Sequence, residues 1–590
     1  MSALKRAKKN VLSYPLVVEA INSDEDKKTA VKYVEEIHGE FKPSVVASTS
    51  KIIDKSFKKL YDKLNLTSSL QKDLRELVKD HHVVLVPNHQ SHADYVAITY
   101  MIYNHYKLPV YVAGGINLDV FPIGSLFRNS GCFFLRRSFA GDKIYRAVFE
   151  GYIFHLLKQG DPIEFFFEGG RSRSGKLLPP RYGLFQMILE AHEKFPEEDR
   201  KPLLFVPVSI AHEYVPESKA HVRELGGGQK KTESPAQLLK LYKLFSKRLG
   251  SIHVHLGEGY VVEKPVQDKK KMTQEIAFKC FLSVGKGIPV TPSALLAMIM
   301  LDEPAGAITW EDIEDRGYEI VNYCKEFGIP LTENLASSEW SKSLDQALGI
   351  HLRNKRVRKL EKEKLRETFY YIEPEHRLEL LYFKNMILHH FLVPCFINAT
   401  WLNFFNGQIN SPSELTRFLL QKRKELKYEF YLPSVKELLS QALKVISYAI
   451  GREIKTLEEC LEFSHKELYQ IAAKLRNFSS AFVHLYEAYY LGGVTLKHLL
   501  HEKFNSERFL QVSKEVFDLE KTHGRVIRYS ESYSVQVMKN CLAYYQNQQI
   551  IQLKAEKYTI EDFKGLDDRI EKFGTELNNL VAVNFKLMKV

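Results

Sequence analysis

The sequence predicts an α/β domain set between a helical N-terminal region and a large, mostly α-helical C-terminal region. Three observations carry that expectation. Short apolar runs recur at residues 83–86, 108–113, 132–135, 163–167, 203–210 and 252–256. Helical stretches at 143–158 and 183–192 separate several of them, and strands alternating with helices imply a sheet joined by crossover connections. Beyond Lys269-Lys270-Lys271, helical periodicity runs to the end with few strand-like runs. The expected divisions are a helical region over 1–75, an α/β domain over 76–268 and a mostly helical region over 269–590.

Within 1–75, Glu35, Glu36 and Glu40 lie among apolar residues, and the stretch from Ile52 to Leu66 has helical spacing. In the last region, the 353–366 stretch is highly charged. A solvated helix face is the reading of that stretch, with a lipid-headgroup patch as the sharper alternative. The longest charge-free run, 385–413, is long enough to cross a bilayer. It also holds His389, His390, Pro394 and four asparagines before Gly407. Polar groups and a helix break are costly in hydrocarbon, so a buried helical hairpin or an interfacial segment is expected instead.

Composition narrows the function classes. At 590 residues, 45% hydrophobic and 26% charged, the chain is globular with room for two to four domains. The net charge of +12, from 84 basic and 72 acidic residues, points to an anionic partner. The basic residues are dispersed and no base-recognition motif appears, which argues against nucleic acid. Six scattered cysteines, none in a CxxC pair, indicate neither a disulfide framework nor a thiolate zinc site and fit a reducing compartment. No long apolar core follows the basic start, so a signal peptide is not expected. The last residues are neither a prenylation nor a peroxisomal address.

Four segments that end strand-like runs could carry chemistry. The first holds His89 and Asp94 in a turn between the apolar run 83–86 and a helical stretch. A His oriented by a carboxylate is a general base near neutral pH. His92 would complete a His/His/Asp metal set only with ligands that the neighbourhood lacks, so no metal is expected. The second ends in Arg136-Arg137, whose planar forks suit phosphate or carboxylate. Alternation along a strand turns one of the two toward the site and the other away. The third, Phe167-Glu168-Gly169-Gly170-Arg171-Ser172-Arg173-Ser174-Gly175-Lys176, joins glycines that free backbone amides to a basic, hydroxyl-rich loop. It mimics a P-loop, but Leu177 stands where that motif needs Ser or Thr, so only an anion cradle remains. The fourth, Val206-Pro207-Val208, is by itself a buried strand.

The order and texture of these blocks resemble the glycerol-3-phosphate / dihydroxyacetone-phosphate acyltransferase family. His89 to Asp94 matches its H-x4-D motif, 131–137 its G-x-F-F-[ILM]-R-R block, 168–173 its E-G-[GT]-R-S-R block, and Val206-Pro207-Val208 its short fourth block. The segment 382–389 is similar to one in the bacterial glycerol-3-phosphate enzymes. The resemblance implies an α/β acyltransferase domain, a mixed sheet with flanking helices. It implies transfer of an acyl group from an acyl thioester, acyl-CoA or acyl-carrier protein, to the sn-1 hydroxyl of glycerol 3-phosphate. No cofactor beyond the donor is expected. His89 and Asp94 would be catalytic, and Arg136, Arg137, Glu168, Gly169, Arg171, Ser172 and Pro207 would bind substrate. Glu168 would accept hydrogen bonds from the acceptor's hydroxyls or hold the arginine fork. The expected place of work is the cytoplasmic face of a membrane, in a bacterium the inner one, with peripheral or monotopic contact.

Rival readings are acylation of dihydroxyacetone phosphate or of 1-acylglycerol phosphate, a thioesterase or esterase, and a non-enzymatic adaptor. The long helical C-terminal half favours first acylation over the short second-acylation enzymes. The missing G-x-S-x-G elbow disfavours an esterase.

Overall fold

The computed structural model describes residues 2–587 apart from 122, 137–140, 216, 227–248, 265–267, 304–305, 363–366 and 527–529. Two units emerge. The first is built from described residues within 1–172, 177–217 and 230–289, and the second from those within 173–176, 218–229 and 290–590.

The first unit carries a mixed sheet of eight strands: β1 (Leu64–Ser68), β2 (His82–Pro87), β3 (Tyr111–Gly115), β4 (Cys132–Leu135), β5 (Ile163–Glu164), β6 (Leu203–His212), β7 (Ile252–Leu256) and β8 (Tyr260–Val262). Their order is β1-β7-β6-β2-β5-β3-β4, with β8 beside β6. From β6 to β4 all neighbours are parallel, whereas β7 and β8 run antiparallel to β6 and β1 follows β7. Strand β2 is buried at all six positions. Its β-branched run needs cover on both faces, as central parallel strands do.

Helices flank the sheet: α1 (Ala3–Leu12), α2 (Pro15–Ala20), α3 (Asp24–Ile37), α4 (Pro43–Leu60), α5 (Leu74–Asp80), α6 (Asp94–Tyr106), α7 (Ile123–Asn129), α8 (Lys143–Gln159) and α9 (Gly183–Glu193). Helix α8 is capped by the Asp142 side chain, which accepts from the Tyr145 amide, and stops at Gly160 with φ +84°. Helices α1 to α3 pack on α8. Two contacts hold α1 and the start of α2 there: Tyr14 donates to the buried Glu150 at 2.7 Å and Asn10 meets His155 at 2.9 Å. The lysine run at 269–271 opens the helix Lys269–Gly287, which packs on β6 and α9 inside this unit.

Two local expectations are corrected here. The helical reading of 52–66 ends early, because α4 stops at Leu60 and Leu64–Ser68 is a strand. The edge of β7 captures the chain: Asp62 donates to the Gly250 carbonyl at 2.8 Å, and the Ile252 amide donates to Lys63 at 3.0 Å. The strand expected over 163–167 pairs fully only at Ile163–Glu164. Phe165 and Phe167 still donate to Leu85 and Pro87 alongside β2, at 3.1 and 3.3 Å.

The second unit is mostly helical, with a three-stranded sheet (Val357–Lys362, Glu367–Ile372, Ala307–Thr309) and a hairpin (Ile551–Lys554, Lys557–Ile560). The wholly buried helix Pro292–Leu301 packs on Arg377–Ile387 and Trp340–Arg353. Over its described residues, 353–362, the charged stretch is not a helix face. Val357–Lys362 is a strand, and Arg356 is fully buried, donating to Glu379 at 2.8 Å and Ser218 at 2.7 Å. The apolar run is not a hairpin either. It continues Arg377–Ile387 through a 3-10 turn, Leu388–Phe391, into Leu392–Phe405. One helical run, Pro374–Phe405, is long and apolar enough to cross a membrane, and 89% of its most apolar stretch is buried inside the protein. Its asparagines have interior partners: Asn385 donates to the Ser174 carbonyl and Asn398 to that of Leu475.

One buried acid sits in the sheet itself. Glu164 on β5, between β2 and β3, is fully buried, and neither oxygen has a hydrogen-bond partner among the described residues. Burial, with the Asp94 charge adding to it, pushes its carboxyl well above the usual glutamate range. The folded state thus holds a proton that the unfolded chain releases near pH 4, and Glu164 costs stability progressively as pH rises above that. Replacing Glu164 with Gln should flatten this decline. The gap between variant and wild type should open above pH 5 by up to about 1.4 kcal/mol per pH unit. Urea unfolding followed by circular dichroism from pH 5 to 8 measures it, and parallel curves would contradict the assignment.

Candidate functional site

The loop from β2 to α6 is tied to β6 before its reactive groups begin. Asn88 acts as an extra strand position: its amide nitrogen donates to the Ile210 carbonyl at 3.1 Å, and its oxygen accepts from the Ile210 amide at 2.8 Å. His89 follows, with its ring 4.2 Å from that of Phe166 between centroids. Asp94 opens α6 and turns back over the loop. Its Oδ2 accepts from His89 Nδ1 at 2.8 Å, from the Gln90 amide at 2.5 Å and from the Ser91 amide at 2.9 Å. Its Oδ1 accepts from His212 Nε2 at 2.6 Å.

Asp94 and His212 are fully buried. Burial alone would raise the Asp94 pKa. The hydrogen bonds and charges of His212 and His89 outweigh it and hold the carboxyl well below the ordinary aspartate range. The site therefore contains a buried carboxylate that binds Nδ1 of His89 and leaves Nε2 to face a substrate. His92 is engaged elsewhere, with its Nδ1 meeting the Tyr95 hydroxyl at 3.2 Å.

The anion loop meets this site through its backbone. Ser172 donates its amide to the His89 carbonyl at 2.8 Å. Gly169 adopts φ +65° in the turn after Phe166, and a Cβ there would lie 3.0 Å from the Arg181 side chain. Arg171 is buried and pairs with Glu217 at 3.5 Å. Glu217 also accepts from the Ser91 hydroxyl at 2.9 Å and from the His92 amide at 3.0 Å. Glu168 is buried, and burial pushes its carboxyl well above the usual range, while weak approaches by the backbone at Leu178 and His89 pull the other way. Holding the arginine fork thus falls to Glu217. Residues Arg173–Lys176 belong to the second unit, where Lys176 pairs with the buried Glu429 at 2.5 Å and Arg173 with Glu224 at 2.7 Å.

Arg136 lies differently from the sequence expectation. Arg136 is committed to α3: its Nε and Nη2 each donate to Glu36 at 2.7 Å, and its guanidinium lies between the rings of Tyr33 and Tyr145, 4.7 and 4.5 Å from their centroids. Arg137 lies outside the described residues. Pro207 is a mid-strand residue of β6, opposite Val86, and its carbonyl accepts from the Gly257 amide at 2.8 Å. Two partners escaped sequence reasoning. His212 had a usable signal, since it ends a strand whose parallel neighbour ends at the His89 loop. Glu217 had none, because only the fold brings it to Ser91.

Residues 68–211 match the acyltransferase family model, and residues 221–554 match the model of the glycerol-3-phosphate acyltransferase C-terminal region. The second match alone spans more than half of the chain. The chain belongs to the glycerol-3-phosphate acyltransferase family. A glycerol-3-phosphate acyltransferase of Shewanella denitrificans is 28% identical over 432 residues, 70% of this chain and 52% of that protein. One of Pseudomonas putida is 34% identical over 259 residues, 42% of this chain and 31% of its own length. One of Pseudomonas fluorescens reaches 35% over 261 residues, 42% of this chain and 30% of its own. Over its longest matches the chain spans about half the length of these curated relatives. In the family's terms, the H-x4-D motif is the His89–Asp94 pair, and its carboxylate is shared with His212.

Asp94 sets a stability test. With a depressed folded pKa, it contributes stability that is full above about pH 4 and is lost as pH falls through the folded value. Replacing His212 with Ala removes one of its donors, which should cost roughly 1–3 kcal/mol at pH 7. The acid-unfolding midpoint should also move to higher pH. Urea and acid titrations of variant and wild type read both effects. Unchanged midpoints would mean that the 2.6 Å contact does not stabilise the carboxylate.

Proposed function

We propose that the chain transfers an acyl group from an acyl thioester to the sn-1 hydroxyl of glycerol 3-phosphate. The observation that carries this reading is the His89 Nδ1–Asp94 Oδ2 bond of 2.8 Å, with its carboxylate wholly buried and the Ser172 amide of the basic loop on the His89 carbonyl. His89 Nε2 accepts the hydroxyl proton as the acceptor oxygen attacks the thioester carbonyl. Asp94 stabilises the imidazolium through Nδ1. The tetrahedral intermediate expels the thiolate, which takes the proton back from Nε2 and leaves as a thiol. The nucleophile belongs to the substrate, so no acyl-enzyme forms, and the step calls for no metal or cofactor.

Arg171, steadied by Glu217, and the neighbouring Ser172 bind the acceptor phosphate, joined by Arg137 as the resemblance implies. Arg136 drops out of this set because the Nε–Nη2 edge of its fork is on Glu36 and its Nη1 lies 3.5 Å from Asp142. Glu168, neutral through burial, supports the loop rather than a charge pair. The acylated product partitions into bilayers, and the curated relatives are bacterial. The cytoplasmic face of the inner membrane is therefore the proposed place of work.

Purified His89→Ala should lose acyl transfer by about 10²–10⁴-fold while keeping its circular dichroism spectrum. Near wild-type turnover would refute the role of the imidazole. The assay should offer both donor classes against glycerol 3-phosphate, dihydroxyacetone phosphate and 1-acylglycerol phosphate, and a preference for either of the last two would redirect the reading.

The arginines separate in the same assay. Arg171→Ala should raise KM for glycerol 3-phosphate about tenfold or more. Arg136→Ala should leave that KM within about twofold and lower thermal stability instead, since it frees Glu36 and two ring contacts. The opposite pattern would return phosphate binding to Arg136.

A further inference from the structure

Among the described residues, the two most exposed large hydrophobic side chains are Phe121, 88% exposed, and Ile52, 68% exposed. Both lie in the first unit. Phe121 stands two residues before α7, and Ile52 lies on α4, which packs against α7. Val120 and Leu126 add exposed apolar surface on the α7 side. On α4, Ser48, Ile52, Lys55 and Lys59 are exposed and recur at helical spacing, so they share one stripe. Apolar tips thus stand beside a basic helix face.

This surface leads back to His89. Phe127 on α7 packs its ring on Tyr95 at 5.7 Å between centroids, and Tyr95 faces the His89 ring at 6.3 Å. Two ring contacts therefore join the imidazole to α7, which carries Leu126 of the exposed patch and follows closely on Val120 and Phe121. We propose that the face formed by α4 with Val120, Phe121 and Leu126 docks the protein on an anionic phospholipid bilayer, with α7 at the membrane surface. Charge decides the occupant: lysines beside protruding apolar side chains match anionic headgroups over acyl chains. A side chain as exposed as Phe121 projects from the surface, which suits insertion between lipids better than a fitted protein interface. The apolar run 374–405 does not compete for this role, since it is mostly buried. The link to chemistry rests on the acyl-transfer reading, but the docking itself does not.

The test is flotation of the full chain on vesicles of phosphatidylethanolamine with phosphatidylglycerol, beside phosphatidylcholine vesicles. Wild type should float with the anionic vesicles and much less with the neutral ones. Ile52→Ser with Phe121→Ser should cut the bound fraction roughly tenfold or more. Lys55→Glu with Lys59→Glu should do the same and remove the salt sensitivity. Phe563→Ser, at an exposed site of the second unit, should bind as wild type does. Turnover of a short-chain, water-soluble acyl thioester without vesicles should be equal in all of them. Wild-type flotation by either double variant overturns the proposal. So does a wild type that ignores anionic vesicles, or one that loses them to an acidic acyl-carrier protein competing for the same lysines. If no protein transfers acyl groups but the flotation pattern holds, docking stands and the catalytic reading fails.

Discussion

The Asp94 carboxylate is the interaction on which the site depends. A buried ion of this size loses several kcal/mol of hydration, and only charge-assisted hydrogen bonds of about 1.5–3 kcal/mol each return it. Asp94 has four such donors: His89, His212 and the amides of Gln90 and Ser91. As the first residue of α6, it also sits at the positive end of a helix dipole. The donors come from the loop after β2 and from the end of β6, two neighbouring strands. One carboxylate therefore closes the loop, holds the sheet ends in register with it and orients the base. That convergence makes the site rigid: turning the His89 ring strands a buried charge.

The legible parts of the molecule were those whose partners lie close in sequence. His89 and Asp94 are five residues apart, and the unbroken apolar run of β2 needs nothing distant to read as a strand. The Gly169 turn is similar, since a left-handed residue before a basic loop announces itself. The unread parts depend on distant partners. β1 is short and half polar, and becomes a strand only because β7, almost two hundred residues later, offers it an edge. Arg136 looked like a phosphate ligand because Glu36, its actual partner, lies one hundred residues earlier. Arg356 looked like part of a solvated face, yet Glu379 and Ser218 bury it.

The 374–405 run shows a different kind of ambiguity. An apolar helix of that length satisfies a bilayer and a protein core equally well, since both remove it from water. Its polar groups decide between them. Asn385 and Asn398 donate to the carbonyls of Ser174 and Leu475 inside the second unit, and Lys384 meets the buried Asp302 at 2.5 Å. Partners fixed by tertiary packing mark a core helix. The same unit neutralises Lys176, the residue that imitated a P-loop lysine, on Glu429. A lysine engaged in this way has no charge to spare for a nucleotide.

Three carboxyl groups of the first unit show how one environment produces opposite protonation states. Asp94, Glu164 and Glu168 are all buried, and burial alone would neutralise each. Only Asp94 stays charged, because only Asp94 is given donors on both oxygens. Its charge then helps keep the other two neutral, since it raises both. A general base needs an oriented imidazole and one nearby anion. A second anion beside it would repel the negative charge that develops on the thioester carbonyl oxygen. Keeping Glu164 and Glu168 protonated leaves two anions at the site: Asp94 on the Nδ1 side of His89, away from Nε2, and Glu217, whose charge is met by Arg171.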